Sequence, residues 1–205
     1  MTRRFIKYFI IFFVVIFAVL NSRLVSAEFK FWLTKQGVAT GVVLDKTPTP
    51  LPLLPVVATP KHYDLTIPAI GAKAPIVLEQ SINPDVIFSR LEDGVVHYAG
   101  TPLPGEVGTS IILAHSSAYP WYKGHYGSVF ALLTKLKPGD EVFVSDGTKI
   151  LKYQVTESLV FNPFTSNDPK LLALSQSDRS SIVLVSCWPV GTAYKRIAVK
   201  ADLVK

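Results

Sequence analysis

From Lys61 to the C-terminus the chain is written as short β-type runs broken by turn residues, and this pattern does most to narrow what it can fold into. Tyr63–Pro68 (YDLTIP), Gly108–His115 (GTSIILAH), Glu141–Ser145 (EVFVS), Ile150–Phe161 (ILKYQVTESLVF), Ser181–Ser186 (SIVLVS) and Arg196–Val204 (RIAVKADLV) are β-branched or alternate apolar with polar residues. Lys137-Pro138-Gly139-Asp140 and Asp146-Gly147 supply the turns between some of them. Helices are expected to be few and short. Asn83-Pro84-Asp85 ahead of VIFSRL offers an N-cap with proline in the first turn, Asp168-Pro169 ahead of KLLALS does the same, and Val129–Leu136 (VFALLTKL) is a third candidate. Many short strands with interspersed small helices predict a mainly β fold, a closed or nearly closed barrel. With 12 Phe, 8 Tyr and 3 Trp the chain can bury one good-sized core, so one folded domain is expected, over residues 61–205.

The sequence before Lys61 is of another kind. Residues 45–60 (DKTPTPLPLLPVVATP) carry prolines at 48, 50, 52, 55 and 60, which forbid a helix and favour extended polyproline II; residues 28–60 are read as a juxtamembrane segment and stalk. Residues 1–27 begin with three basic residues in MTRRFIK and continue with thirteen uninterrupted apolar positions, Tyr8–Leu20. A cleaved signal peptide, with Val25-Ser26-Ala27 as the small-residue cleavage site, competes with an uncleaved anchor lengthened by Phe5, Ile6 and the stretch through Val25 if Arg23 snorkels. The anchor is favoured on length. Its flanking charges place the N-terminus in the cytoplasm and the domain outside the cell membrane.

The net charge of +6 does not point to nucleic acid. Residues 1–60 hold 7 Lys/Arg against 2 Asp/Glu, whereas residues 61–205 hold 14 against 13, so the excess lies outside the domain. A phosphate-tracking face needs its charge on the folded unit.

Cys187 is the only cysteine, so no internal disulfide is available. Taken alone, a single cysteine after an apolar strand reads as an inert core thiol, cysteine being among the most buried residue types. Its setting argues otherwise: Cys187 closes the run SIVLVS just before Trp188-Pro189, and Arg196 opens the last run nine residues on. A hairpin across Trp188–Lys195 would bring that guanidinium back to the thiol, where a fixed cation depresses a thiol pKa or binds an oxyanion. A thiol nucleophile also needs a proton partner, and His62, His97, His115 and His125 all qualify by type. His115 stands at the end of SIILAH, a strand-to-loop edge like that of Cys187. Taken alone, each histidine reads as structural, and Arg196 as a solvated strand charge sharing a face with Lys200 and Asp202. The aromatics Tyr119, Trp121, Tyr122 and Tyr126 form either a substrate-side loop or, by default, packing.

Ile67-Pro68-Ala69-Ile70-Gly71, GVVHYAGTPLPGEVGTSIILAH, LKPGDEVFV, LVSC-x-P-x-G-T and the closing KRIAVKADLV together resemble the sortase family over essentially all of residues 61–205. Sortases are membrane-anchored bacterial cysteine transpeptidases with an eight-stranded β-barrel. The resemblance implies a catalytic set of Cys187, His115 and Arg196, with His97 a recurrent non-catalytic histidine. Candidate substrate-binding residues are Trp188, Tyr119 and Trp121. The chain departs from the family pattern at Val183-Leu184-Val185-Ser186, where threonine is usual at the first and last places, at Ala114, where glycine is usual, and at Trp188. These departures bear on subclass and signal preference. The implied substrate is a surface protein with a C-terminal sorting signal of the Leu-Pro-x-Thr-Gly type. The implied acceptor is an amine on a peptidoglycan precursor or a pilin lysine. No cofactor, metal or nucleic acid is expected. Two other readings stay open on the residues alone: a non-catalytic sortase-like binding module with a buried thiol, and a secreted cysteine peptidase that hydrolyses.

Overall fold

The computed structural model describes residues 6–13, 62–119, 121–164 and 169–204. Residues 6–13 are helical and exposed. The expected stalk and most of the expected anchor lie outside the described residues, and no described helix is long and apolar enough to cross a membrane.

Eight strands close into a barrel in the order β1-β2-β3-β4-β7-β8-β6-β5. They are β1 (Tyr63–Ile67), β2 (Ala72–Leu78), β3 (Val95–His97), β4 (Gly108–Leu113), β5 (Glu141–Ser145), β6 (Ile150–Phe161), β7 (Ser180–Trp188) and β8 (Lys195–Leu203). Most neighbours are antiparallel, but β2 pairs with β3 and β4 with β7 in parallel. The inward residues form one core, among them Tyr63, Leu65 and Ile67 of β1, Val142 and Val144 of β5, Ile182 and Leu184 of β7, and Ile197, Val199 and Ala201 of β8. Alternate residues lie on one face of a strand, so the intervening positions look outward.

Two short helices cover part of that outer face. α1 (Pro84–Arg90) starts as its sequence predicts, with the Asn83 side chain accepting from the Asp85 amide at 2.9 Å and proline in the first turn. It lays Ile87, with Leu91 beyond its end, on Val96 and Leu113. α2 (Pro169–Ser175) lays Leu174 on Val183, Val185 and Ala198.

β6 reaches this second cluster by a bulge between Val155 and Glu157. Leu151, Tyr153 and Val155 point into the barrel, but beyond the extra residue Leu159 and Phe161 point outward onto the Leu174 cluster. One strand thereby serves both cores.

The structure corrects the third helix. Residues 129–136 form turns and a 3-10 segment, Leu133–Lys135, closed by bonds three residues apart such as Leu133 N–H to Phe130 O and Lys135 N–H to Leu132 O. Phe130, Ala131, Leu132 and Leu133 are buried in succession, and only Thr134 and Lys135 turn outward, so the segment lacks the alternating polar face of a surface α-helix. The β-type reading of the remaining runs holds, and β2 and β3 are two strands it lacked.

Candidate active site

β7 and β8 make the hairpin that the Trp188-Pro189 corner suggested, with Cys187 directly opposite Arg196. Both follow the outward parity set by Val185 and Ala198, which pack against Leu174 on the outer face. Cys187 is half-buried and carries no disulfide. The strand ends one residue later because Pro189 has no amide to give to the ladder.

The turn beyond is built from its own residues. Pro189 O accepts from the Thr192 amide at 3.0 Å and from its hydroxyl at 2.8 Å, and Gly191 takes φ +88°, a conformation open to glycine. Arg196 Nη1 donates to Ala193 O and Lys195 O, both at 3.0 Å. The guanidinium therefore holds its own loop, from a strand position opposite that of the thiol.

His115 arrives from the strand on the other side. β4 runs parallel to β7 with Leu113 opposite Val185, and the Ala114 amide to Val185 O bond at 3.1 Å carries the register one residue further. Ser186 Oγ, buried inside, donates to Ala114 O at 2.8 Å and ties the two strands together again at this point. Two residues beyond the outward Leu113, His115 emerges on the face of Cys187. Its own carbonyl accepts from the buried Phe130 amide at 3.0 Å. The loop after it reaches the hairpin, where the Gly191 amide donates to Ser117 Oγ at 3.0 Å.

The His115 imidazole lies near two aromatic rings, Phe88 of α1 with centroids 6.2 Å apart and Tyr122 edge-on at 5.4 Å and 81°. Burial here pushes its pKa below the ordinary histidine value, and the nearby Glu92 carboxylate partly opposes this. The neutral imidazole is the form favoured near neutral pH, ready to accept a proton from a thiol.

The other three histidines are elsewhere. His97 is buried in β3, its Nε2 within hydrogen-bond reach of Pro102 O (3.0 Å) and Thr101 Oγ1 (3.1 Å). His62 is exposed beside Asp64, and His125 is exposed in the β4–β5 loop.

The aromatic candidates divide. Trp188 follows Cys187 and so takes the opposite parity, packing against the main core with Lys195 Nζ 5.9 Å from its ring centroid. Tyr119 and Trp121, 71% and 75% exposed, stack on one another at 4.9 Å in the loop after His115. Tyr126 packs against the main core. Phe88 and Glu92 are the site neighbours that sequence reasoning missed, since only the packing of α1 on β3 and β4 brings them to His115.

The model of one family, described as the sortase domain, matches residues 65–204. The chain belongs to the sortase family. This sortase is similar in structure to sortase A from Corynebacterium diphtheriae, at 28% identity and a TM-score of 0.57, over 71% of this chain and 61% of that one. It is likewise similar to sortase C-1 from Actinomyces oris, at 26% identity and 0.56, over 70% and 73% of the two chains. Sortase C from Clostridium perfringens SM101 matches at 26% identity and 0.52, over 69% and 68%. The chain thus spans about three fifths of the length of the Corynebacterium diphtheriae sortase A chain, and relatives of both the A and the C type resemble it. No curated protein matches it in sequence.

Proposed function

We propose that this sortase is a cysteine transpeptidase in which Cys187 is the nucleophile, His115 the proton carrier and Arg196 the oxyanion or substrate-backbone partner. The observation that carries this reading is the placement of the three residues on one outer face: Cys187 opposite Arg196 in the β7–β8 ladder, and His115 at the end of the parallel neighbour β4. A rigid sheet then holds nucleophile and oxyanion donor in register, so little reorganisation is left for the reaction itself.

In the first half-reaction the Cys187 sulfur attacks the carbonyl carbon of the scissile peptide bond while its proton passes to His115 Nδ1 or Nε2. A C–S bond forms, the carbonyl oxygen takes up negative charge beside Arg196, and collapse expels the amine, which leaves with the proton from His115. In the second, an acceptor amine attacks the thioester carbon, loses its proton to His115 and displaces the thiolate. The thioester retains the acyl group's reactivity until the amine arrives, so a peptide bond is exchanged and no cofactor is called for.

The substrate class of this reading is a surface protein with a C-terminal Leu-Pro-x-Thr-Gly-like signal, and the acceptor is an amine on a peptidoglycan precursor or a pilin lysine. The N-terminal apolar run supports a membrane anchor with the domain outside the cell, where both reactants would be met. Incubation of the full chain with a Leu-Pro-x-Thr-Gly peptide library, with and without triglycine, is the test, read by intact mass beside Cys187→Ala. An adduct on Cys187 that the amine chases to a ligated peptide, absent in the variant, is the expected result. An adduct released equally fast without amine would make the protein a hydrolase, and no adduct together with a thiol that resists labelling would make it a binding module.

A further inference from the structure

The tyrosine beside the candidate proton carrier is tied down on more sides than packing alone requires. Tyr122 stands in the β4–β5 loop, seven residues after His115, and its ring meets the imidazole edge-on. Its hydroxyl donates to Leu91 O at 2.6 Å, at the C-terminal end of α1. Its amide donates to Tyr119 O at 2.9 Å. Two glycines leave room for it: a Cβ at Gly124 would come within 2.5 Å of its hydroxyl, and one at Gly127 within 2.9 Å of its ring. Phe88, on α1, is the other ring near the imidazole, with centroids 6.2 Å apart. The helix that supplies Phe88 is therefore the one whose end receives the Tyr122 hydroxyl.

We infer, resting on the transfer reading above, that Tyr122 is a positioning residue, whose ring and hydroxyl lock the loop to α1 and hold His115 near Tyr122 and Phe88 on the Cys187 face. An imidazole on a strand end, however well its backbone is held, keeps a free choice of ring rotamer unless side chains close around it. The tethered Tyr122 ring, with Phe88 at 6.2 Å, narrows that choice and excludes water from part of the imidazole. The result agrees with the depression of the His115 pKa by burial. The ionisable groups that meet it are Glu92 in the turn after α1 and the Tyr122 phenol from the loop, and the neighbouring strands carry Cys187 on β7 and Arg196 on β8 on the same outer face. Lys123 and His125, in the same loop, are exposed.

The role separates Tyr122 from a residue that merely stabilises the loop, because it acts on the titration of another side chain. The full chain, solubilised in detergent and labelled at histidine, is titrated by NMR as wild type, Tyr122→Phe and Tyr122→Leu, with His115→Gln assigning the signal. Wild-type His115 is expected to titrate below about 6.5. Loss of the ring in Tyr122→Leu is expected to raise the midpoint by about half a unit or more, and loss of the tether alone in Tyr122→Phe to raise it less. In the peptide-transfer assay Tyr122→Leu is expected to lower kcat about tenfold with KM changed less than about twofold.

A His115 midpoint that stays at the wild-type value in both folded variants overturns the inference. If Tyr122→Leu does not fold, Tyr122→Phe decides by the same criterion. A midpoint that moves in a protein showing no acyl transfer supports the positioning role and sinks the transfer reading. Active transfer with an unmoved midpoint and unchanged kcat sinks the positioning role alone.

Discussion

Cys187 and Arg196 are cross-strand partners in the antiparallel β7–β8 ladder, so their side chains leave the sheet on the same side. Opposite residues in such a ladder stand about 4.5–5.5 Å apart at Cβ, close enough for a guanidinium to act on a thiolate or on an oxygen bound to its substrate carbon. The pairing is fixed by the ladder and not by a loop. Phe161 of β6 pairs with Arg196 from the other side, which places Phe161 in the outer row at the same level of the ladder.

Arg196 is expected to tolerate no substitution, lysine included. Its Nη1 bridges Ala193 O and Lys195 O from the position directly opposite Cys187, and a lysine ammonium is a point charge on a flexible stem that cannot both hold that loop and present a planar fork to an oxyanion. Arg196→Ala should slow thioester formation about 10²–10³-fold, the usual loss for one oxyanion donor, and Arg196→Lys should recover little of it. Single-turnover acylation followed by mass spectrometry measures both, and a lysine variant with wild-type rate would remove Arg196 from the site.

Glu92 gives the pH dependence a sign. Burial lowers the His115 pKa and the Glu92 carboxylate raises it, so Glu92→Gln should lower it further. On the proposed mechanism, in which a neutral His115 takes the thiol proton, the acidic limb of kcat/KM then moves to lower pH by a few tenths of a unit. The variant should be as active as wild type on the neutral side of that limb. A limb that shifts to higher pH, or one that stays in place, would show that another group sets it.

The fold was legible wherever strands are apolar and uninterrupted. β5 and β6 have the bounds their sequence suggested, because Pro138-Gly139 and Asp146-Gly147 mark the turns beside them. β2 escaped notice because its inward residues include Ala72 and Ala74, and Pro75 sits mid-strand. The barrel accommodates that proline by beginning the β2–β3 pairing only at Ile76, with Gly94 opposite, where a Cβ would strike the Pro75 carbonyl. In the site, Cys187 and Arg196 were readable as a hairpin because a corner and a return strand are local events. The choice of His115 among four histidines rested on resemblance, since the parallel pairing of β4 with β7 joins residues about seventy apart. Phe88, Glu92 and the contact made by Tyr122 depend on helix packing, which strand and turn signals do not encode.

Ser186 should matter for the spacing of the site although it faces away from it. Its hydroxyl, buried between Cys187 and the core, donates to Ala114 O, one residue before His115. Ser186→Ala removes this bond and should cost about 1 kcal/mol of stability. Ser186→Val adds bulk in a closed core and should cost more, about 1–3 kcal/mol. Urea unfolding of the two variants gives both numbers. An alanine variant as stable as wild type would mean that Ala114 O finds another donor.

The β5–β6 turn carries a second pH dependence, independent of catalysis. Asp146 Oδ1 accepts from the Thr148 hydroxyl at 2.7 Å, the Lys149 amide at 2.9 Å and the Thr148 amide at 3.0 Å. These bonds, led by the Thr148 hydroxyl, hold its carboxyl at about 2 against an ordinary value of 3.8. A carboxylate with a depressed pKa contributes stability in full above the unfolded value and loses it as pH falls through the folded one. Asp146→Asn keeps an acceptor oxygen but not the charge, so its Tm should lie below wild type at about pH 5. The gap should narrow from pH 3.8 downward and close near pH 2, where the wild-type carboxyl is itself protonated. Tm measured across that range decides the matter: a gap of constant size would assign the effect to the amide group of the variant and not to the lost charge.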